Sequence, residues 1–184
     1  MLFANISQWG PKAEAFLEAQ KQRRHGSGET FDVIAMAETH LAKGEHARAV
    51  KACEAVTHRA VHAHARPTGR SEDGTSGGVL MAPCVHLQLA NVVHSDDKTV
   101  PSLVGDDWCA VPVRLGGCNV WLAAAYLTCG IGPTGANVAK LQQLGQRLLA
   151  TGEPFIVAAD WNMAPGQLCD SGFLRGRVCC SRCP

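Results

Sequence analysis

The sequence predicts an α/β protein, a layered α/β sandwich, on three observations. Short apolar runs that end in polar residues alternate with helical stretches at both ends of the chain. The middle reads as consecutive strands. The most regular helix pattern then leads straight into one more apolar run. With 184 residues the chain is long enough for one domain with a hydrophobic core. Apolar residues are 46% and charged residues 18%, which suits a soluble globular protein and argues against disorder. A formal charge of +1, from 17 Lys+Arg and 16 Asp+Glu, gives no global basic footprint for nucleic acid, although a local patch is compatible with it. No apolar run reaches the roughly 18 residues that suggest a membrane span. The start, "MLFANISQWG", lacks the basic end and apolar core of a secretory leader, so the mature chain is expected to start near Met1 and to be intracellular.

"MLFANIS" is a short apolar run closed by polar residues and reads as the first strand. "PKAEAFLEAQKQRR" opens on a proline and is rich in helix formers, with Ala13, Phe16 and Leu17 on one face. "FDVIAMAET" is a buried strand by composition, set off by the loop "HGSGET". A second helix is expected over about Glu45 to Thr57, and "RAVHAHA" as a strand. "RPTGRSEDGTSGG", Arg66 to Gly78, reads as a loop. After it come "VLMAP", "VHLQLANVV", "WCAVPVRL" and "NVWLAAAYLT" as strands, broken at "SDDKTVPS" and at "GG". "GANVAKLQQLGQRLLATG" is a helix with the stripe Val138, Leu141, Leu144, Leu148 and Leu149, and Gly152 stands at its stop. "FIVAAD" is the final strand.

Polar groups stand at the ends of four apolar runs. Asn5 follows "MLFA", Glu38 follows "FDVIAMA", Tyr126 follows "NVWLAAA", and Asp160 and Asn162 close "FIVAADWN". Carboxylates and carboxamides dislike burial without partners, so something near these ends should want their oxygens. Two carboxylates with two carboxamides make a hard, oxygen-rich set that suits Mg²⁺ or Mn²⁺ rather than Zn²⁺. A site of that kind suits metal-assisted phosphoester hydrolysis. A single Glu or Asn after a strand is usually a cap or loop residue, Asp160 with Asn162 alone also reads as an Asx-turn, and periodicity does not prove that the groups converge.

These runs resemble motifs of the endonuclease/exonuclease/phosphatase superfamily. "FDVIAMAETHL" resembles the strand that ends in its glutamate, "FIVAADWNMAP" its G-D-x-N-x-x-P segment, "LAAAYLTCG" its tyrosine-bearing strand, and "TSGGVLMAP" its S-G-G strand start. The resemblance runs from Leu2 to about Leu174 in family order, with the apurinic endonucleases and retrotransposon endonucleases nearest in pattern. It implies that Glu38 binds the metal and that Asp160 orients or deprotonates the attacking water. It implies that Asn162 holds a phosphate oxygen and positions Asp160, that Asn5 contacts metal or phosphate, and that Tyr126 contacts the phosphate. The implied cofactor is Mg²⁺ or Mn²⁺, and the implied partner is nucleic acid or another phosphoester.

The chain departs from the family pattern in places. Ser7 stands where some members carry a second acidic residue, and Ala159 replaces a glycine before Asp160. The eight histidines all precede Asp106, so none falls where the family's late S-D-H motif belongs, and the second half-sheet reads as incomplete. On that reading residues 1–175 are a partial domain and 176–184 a Cys-rich tail not native to it. The tail's spacing matches no standard zinc knuckle. Cys53, Cys84, Cys109, Cys118 and Cys129 read as small buried hydrophobes. His62 and His64 alternate, so on a strand they share a side; a solvated strand face is the simpler reading and a metal pair the sharper one.

Three functions follow. The first is a Mg²⁺-dependent nuclease or phosphodiesterase, weak or inactive in this chain. The second is a degenerate, non-catalytic copy of a retrotransposon endonuclease acting at most as a binding module. The third is a phosphatase of the same superfamily.

Overall fold

The runs VIAMA and VLMAP are buried at every position, and a strand buried on both faces needs a layer on each side. The structure is a computed structural model that describes residues 1–25, 30–68, 75–87, 89 and 102–173. Its elements run β1 (Leu2–Asn5), α1 (Pro11–His25), β2 (Val33–Ala37), α2 (His46–Ala55), β3 (Val61–Ala63), β4 (Arg66–Pro67) and β5 (Thr75–Ser76). There follow β6 (Val79–Pro83), β7 (Leu103–Gly105), β8 (Trp108–Leu115), β9 (Cys118–Tyr126), α3 (Gly135–Ala150), β10 (Phe155–Asp160) and α4 (Pro165–Asp170). The strands form two four-stranded sheets, ordered β1-β2-β6-β3 and β10-β9-β8-β7, plus the small ribbon β4-β5. Pairing is parallel for β1 with β2 and for β10 with β9, and antiparallel elsewhere.

The two-residue period of a strand explains the layers. Val33, Ala35, Ala37, Val79 and Met81 point inward and meet Cys109, Val111, Val113, Leu122, Ala124 and Tyr126 of the other sheet. The alternate residues Ile34, Met36, Leu80 and Ala82 point outward, under Ala13 and Leu17 of α1 and Ala49 and Cys53 of α2. On the far side Trp108, Ala110, Trp121, Ala123 and Ala125 lie under Leu141, Leu144 and Leu148 of α3, with Leu168 of α4 and Phe173. The order of layers is helix, sheet, sheet, helix.

Several expectations need correction. Val85 and His86 form a turn, closed by the Leu87 N–H on the Cys84 carbonyl at 3.0 Å, where a strand was expected. The rest of "VHLQLANVV" lies outside the described residues, apart from Leu89, which bridges to Val113. Residues 66–78 are not all loop, because Arg66–Pro67 pairs with Thr75–Ser76. In α3 the buried stripe takes in Asn137 and Lys140, while Leu149 is exposed and Val138 only half-buried. Cys53, Cys84 and Cys109 are buried as expected, but Cys118 and Cys129 are exposed. Cys118 opens β9 beside the Gly116–Gly117 turn, and Cys129 sits in the loop beyond β9, where neither sheet covers them. The Cys-rich tail lies outside the described residues.

One buried ion pair joins the layers. Asp107, in the turn between β7 and β8, is 3% exposed, and its Oδ2 lies 2.6 Å from Nζ of Lys140 on α3. Its Oδ1 accepts the Gly78 N–H at 2.9 Å, and Arg66 Nε stands 3.6 Å from Oδ2. Lys140 also reaches Thr128 Oγ1 at 3.2 Å and the Tyr126 carbonyl at 3.4 Å. Breaking a buried pair by removing one partner leaves a charge without compensation. Lys140→Met is expected to destabilise the fold by about 3 kcal/mol, and Lys140→Met with Asp107→Leu by clearly less. Urea unfolding of the single and double variants checks this.

Candidate active site at the strand ends

Parallel pairing sends both strands of a pair out at the same edge. In the first sheet Asn5 aligns with Ala37, the residue before Glu38; in the second Asp160 aligns with Tyr126. The inner faces of the sheets pack together, β1 beside β10 and β2 beside β9, so the two ends meet. The bond that crosses between them is Asn5 Nδ2 to Asp160 Oδ2, at 2.6 Å. Asn5 Oδ1 accepts the Ser7 N–H at 2.9 Å, an Asx-turn that fixes which way the carboxamide points.

Tyr126 links the second pair of groups. Its ring is 4% exposed and contributes to the core between the sheets. The side chains of Glu38 and Ser76 lie near enough to its hydroxyl to shift its titration, Glu38 upward and Ser76 downward. Burial first, then the Glu38 carboxylate, pushes the phenol well above its usual range, and Asp160 pushes the same way while Ser76 opposes. Tyr126 is therefore a neutral donor at any ordinary pH. Glu38 and Asn162 both sit in the left-handed backbone region, with φ of 55° and 47°. Asparagine tolerates that region; glutamate does so only when its surroundings hold it there, as happens at functional sites. Glu38 is flanked by the Ile6 N–H to Ala37 carbonyl bond at 3.1 Å and by the Thr39 N–H on Gly78 at 3.2 Å.

Asn162 is anchored on the backbone just past β9. Its Nδ2 donates to the Leu127 carbonyl at 2.7 Å, while the bond that orients Asp160 comes from Asn5. Trp161 packs on Phe173, with ring centroids 5.9 Å apart, in the outer layer under α3. The sequence did not single out Asp107, Lys140 or Asn137, which brace this edge from behind. Asn137 donates to the carbonyls of Thr128 and Gly132, at 2.9 Å each, and accepts the Thr128 N–H at 2.8 Å, which shapes the loop after Tyr126. Their signal was present as two polar residues set on the apolar stripe of α3. Gly77 and Gly78, with φ of 77° and 81°, turn the chain into β6; a Cβ at Gly77 would collide with the Asp107 carboxylate, and one at Gly78 would lie 2.6 Å from Thr39 Oγ1.

The donor set fits a hard divalent cation. Among the described residues no Lys or Arg side chain pairs with Glu38 or Asp160, yet both carboxylates act on one phenol. Two acidic groups at one edge without a cationic partner leave negative charge that Mg²⁺ or Mn²⁺ would offset through oxygen ligands.

The helix–sheet–sheet–helix arrangement has counterparts among solved structures. No family model and no curated protein matches the sequence. Among solved structures, an endonuclease/exonuclease/phosphatase family protein from Leptotrichia buccalis is similar, with TM-score 0.57 at 12% identity over 92% of this chain and 71% of that one. The human nocturnin catalytic domain with bound sulfate gives 0.50 at 13%, over 91% and 63%. D. rerio TDP2 complexed with single strand DNA product gives 0.50 at 15%, over 87% and 58%. The chain has the fold of the endonuclease/exonuclease/phosphatase superfamily, and it spans less than two thirds of the last two structures. No helix among the described residues is long and apolar enough to cross a membrane.

Tyr126 is the only tyrosine, so its ionisation is readable in the ultraviolet without labels. The expected midpoint lies above the usual value of about 10, and Glu38→Gln should bring it part of the way back. Because the folded value is the raised one, the stability this phenol contributes is complete below about pH 10 and fades as pH climbs through the folded value. An absorbance titration run beside a stability–pH curve checks both.

Proposed function

We propose that this chain is a divalent-cation-dependent phosphodiester hydrolase with nucleic acid as its substrate class. The observation that supports the reading best is the Asn5–Asp160 hydrogen bond, which brings two strand ends and their oxygens to one place. The binding of a DNA product by the TDP2 neighbour favours nucleic acid among phosphoesters.

Glu38, with Asp160 and the Asn5 carbonyl oxygen nearby, would hold Mg²⁺ or Mn²⁺. When bound, the ion supplies positive charge against the charge that develops on the phosphate. Asp160, oriented by Asn5, accepts the proton of the attacking water as the water oxygen bonds to phosphorus; the opposite P–O bond breaks, and the leaving oxygen takes a proton from solvent. Tyr126, kept neutral, donates its O–H toward a non-bridging phosphate oxygen. The Asn162 carboxamide keeps one N–H on Leu127 and offers the second to another phosphate oxygen. The absolute rate is expected to be low. These five groups include no cationic or imidazole donor, and one preorganised donor is typically worth about 10²- to 10³-fold.

The test uses the purified 184-residue chain with Mg²⁺ on plasmid DNA and on single-stranded oligonucleotides. Slow cleavage is expected, lost in Glu38→Ala and reduced about 10²- to 10⁴-fold in Asp160→Asn while both variants keep the wild-type circular dichroism. Cleavage indifferent to both substitutions would sink the proposal. Binding of DNA with no cleavage under any metal would favour a non-catalytic module.

A further inference from the structure

Three histidines meet on the outer face of the first sheet, at its edge strand β3. His46 opens α2, His62 lies in β3 and His64 follows β3. Val61 and Ala63 face the core between the sheets, so the period of the strand turns His62 and His64 to the other side. That side is where the start of α2 packs. The His46 and His62 rings stack at 3.8 Å between centroids, His64 stands 4.7 Å from His46, and His62 and His64 are 5.3 Å apart.

One ring nitrogen from each residue lies within 4.8 Å of the other two. His46 Nδ1 and His64 Nδ1 are in hydrogen-bonding contact at 3.4 Å, a spacing close to the edge of a tetrahedron with metal–nitrogen bonds of about 2.1 Å, and an ion there would take the place of that contact. His46 is 4% exposed. The buried Nδ1 of His62 has no hydrogen-bond partner, which is unusual in a folded protein, and an ion would supply one; His46 Nε2, likewise without a partner, would stay outside the coordination when that ring binds through Nδ1. His64 is exposed, which leaves a way in from solvent and room for water as a fourth ligand.

We propose that His46, His62 and His64 form a binding site for a borderline transition-metal cation of the Zn²⁺ class, which ties the start of α2 to β3. Neutral imidazoles suit Zn²⁺, as hard oxygens suit Mg²⁺, so the two sites select different ions. The second site stands without the first, since it shares no residue with it.

The test carries Cys169, Cys179, Cys180 and Cys183 as serine in the full chain, so that tail thiols do not compete for zinc. After chelator dialysis, calorimetric titration with Zn²⁺ is expected to show one ion per chain, unaffected by Glu38→Ala and by excess Mg²⁺. Affinity should fall about 10²-fold in His64→Ala, an exposed position where folding is not at risk, and similarly in His62→Gln. Zn²⁺ should raise the melting temperature of the parent and not of His64→Ala, a linkage that holds only if the folded form binds. Zinc affinity unchanged by both histidine substitutions, or no uptake by the parent, overturns the proposal.

Discussion

The Asp107 carboxylate is the constraint on which the architecture turns. A buried anion is tolerated only where partners meet it on every side, and here the partners come from three separate places: α3 through Lys140, the turn into β6 through the Gly78 N–H, and the small ribbon through Arg66. That one group therefore decides where the second helical layer sits over its sheet and where the Ser76–Gly78 turn lies. Ser76 in turn lies near the Tyr126 hydroxyl, and the Asp107 carbonyl takes the Tyr126 N–H at 2.8 Å. The residue is approached from its backbone side by the β7–β8 turn and from its hydroxyl side by the turn into β6, and the Asp107 carboxylate ties those two turns together. Glycine at 77 and 78 is required both by the left-handed backbone and by the closeness of that carboxylate.

The strand-end site is a by-product of pairing direction combined with sheet stacking. Antiparallel partners would have sent Asn5 and Glu38 to opposite edges, and Tyr126 and Asp160 likewise. Parallel pairs deliver both, and face-to-face packing closes the distance between the pairs. Small residues on the inner faces, Ala35, Ala37 and Ala124, let the sheets lie together near these ends. The chemistry of the edge is thus set by topology, and each polar side chain needs only local tuning: an Asx-turn for Asn5, a left-handed backbone for Glu38, a carbonyl anchor for Asn162.

Much of this was legible in the chain itself. Apolar runs ending in Asn5, Glu38, Tyr126 and Asp160 marked strands: β2 is apolar throughout because it is buried on both faces, β1 and β10 are half-buried edge strands, and each shows its end by the first polar residue. The α3 helix was legible from its stripe, but not the two polar members of it. Asn137 and Lys140 look like surface residues until Asp107 and the Thr128–Gly132 loop are seen beneath them. Asp107 itself reads as an ordinary turn residue in "GDDW". His62 and His64 could be placed on one side of a strand by period alone, but no periodicity says which helix covers that side, so His46 was beyond reach. The turn at Val85 and His86 shows the same limit: local apolar character marks a strand only where a neighbour offers unpaired backbone.

The Asn5–Asp160 bond joins residues 155 positions apart. Few contacts in a chain of this size close so long a loop, and such contacts form late, once the entropy of closure has been met by everything between them. The first strand is made early during synthesis and must wait for the tenth before its carboxamide N–H meets Asp160. Competence at this edge is thus coupled to the completion of folding: a partly folded chain, with its first sheet formed and its second undocked, has half of the oxygens and none of the alignment.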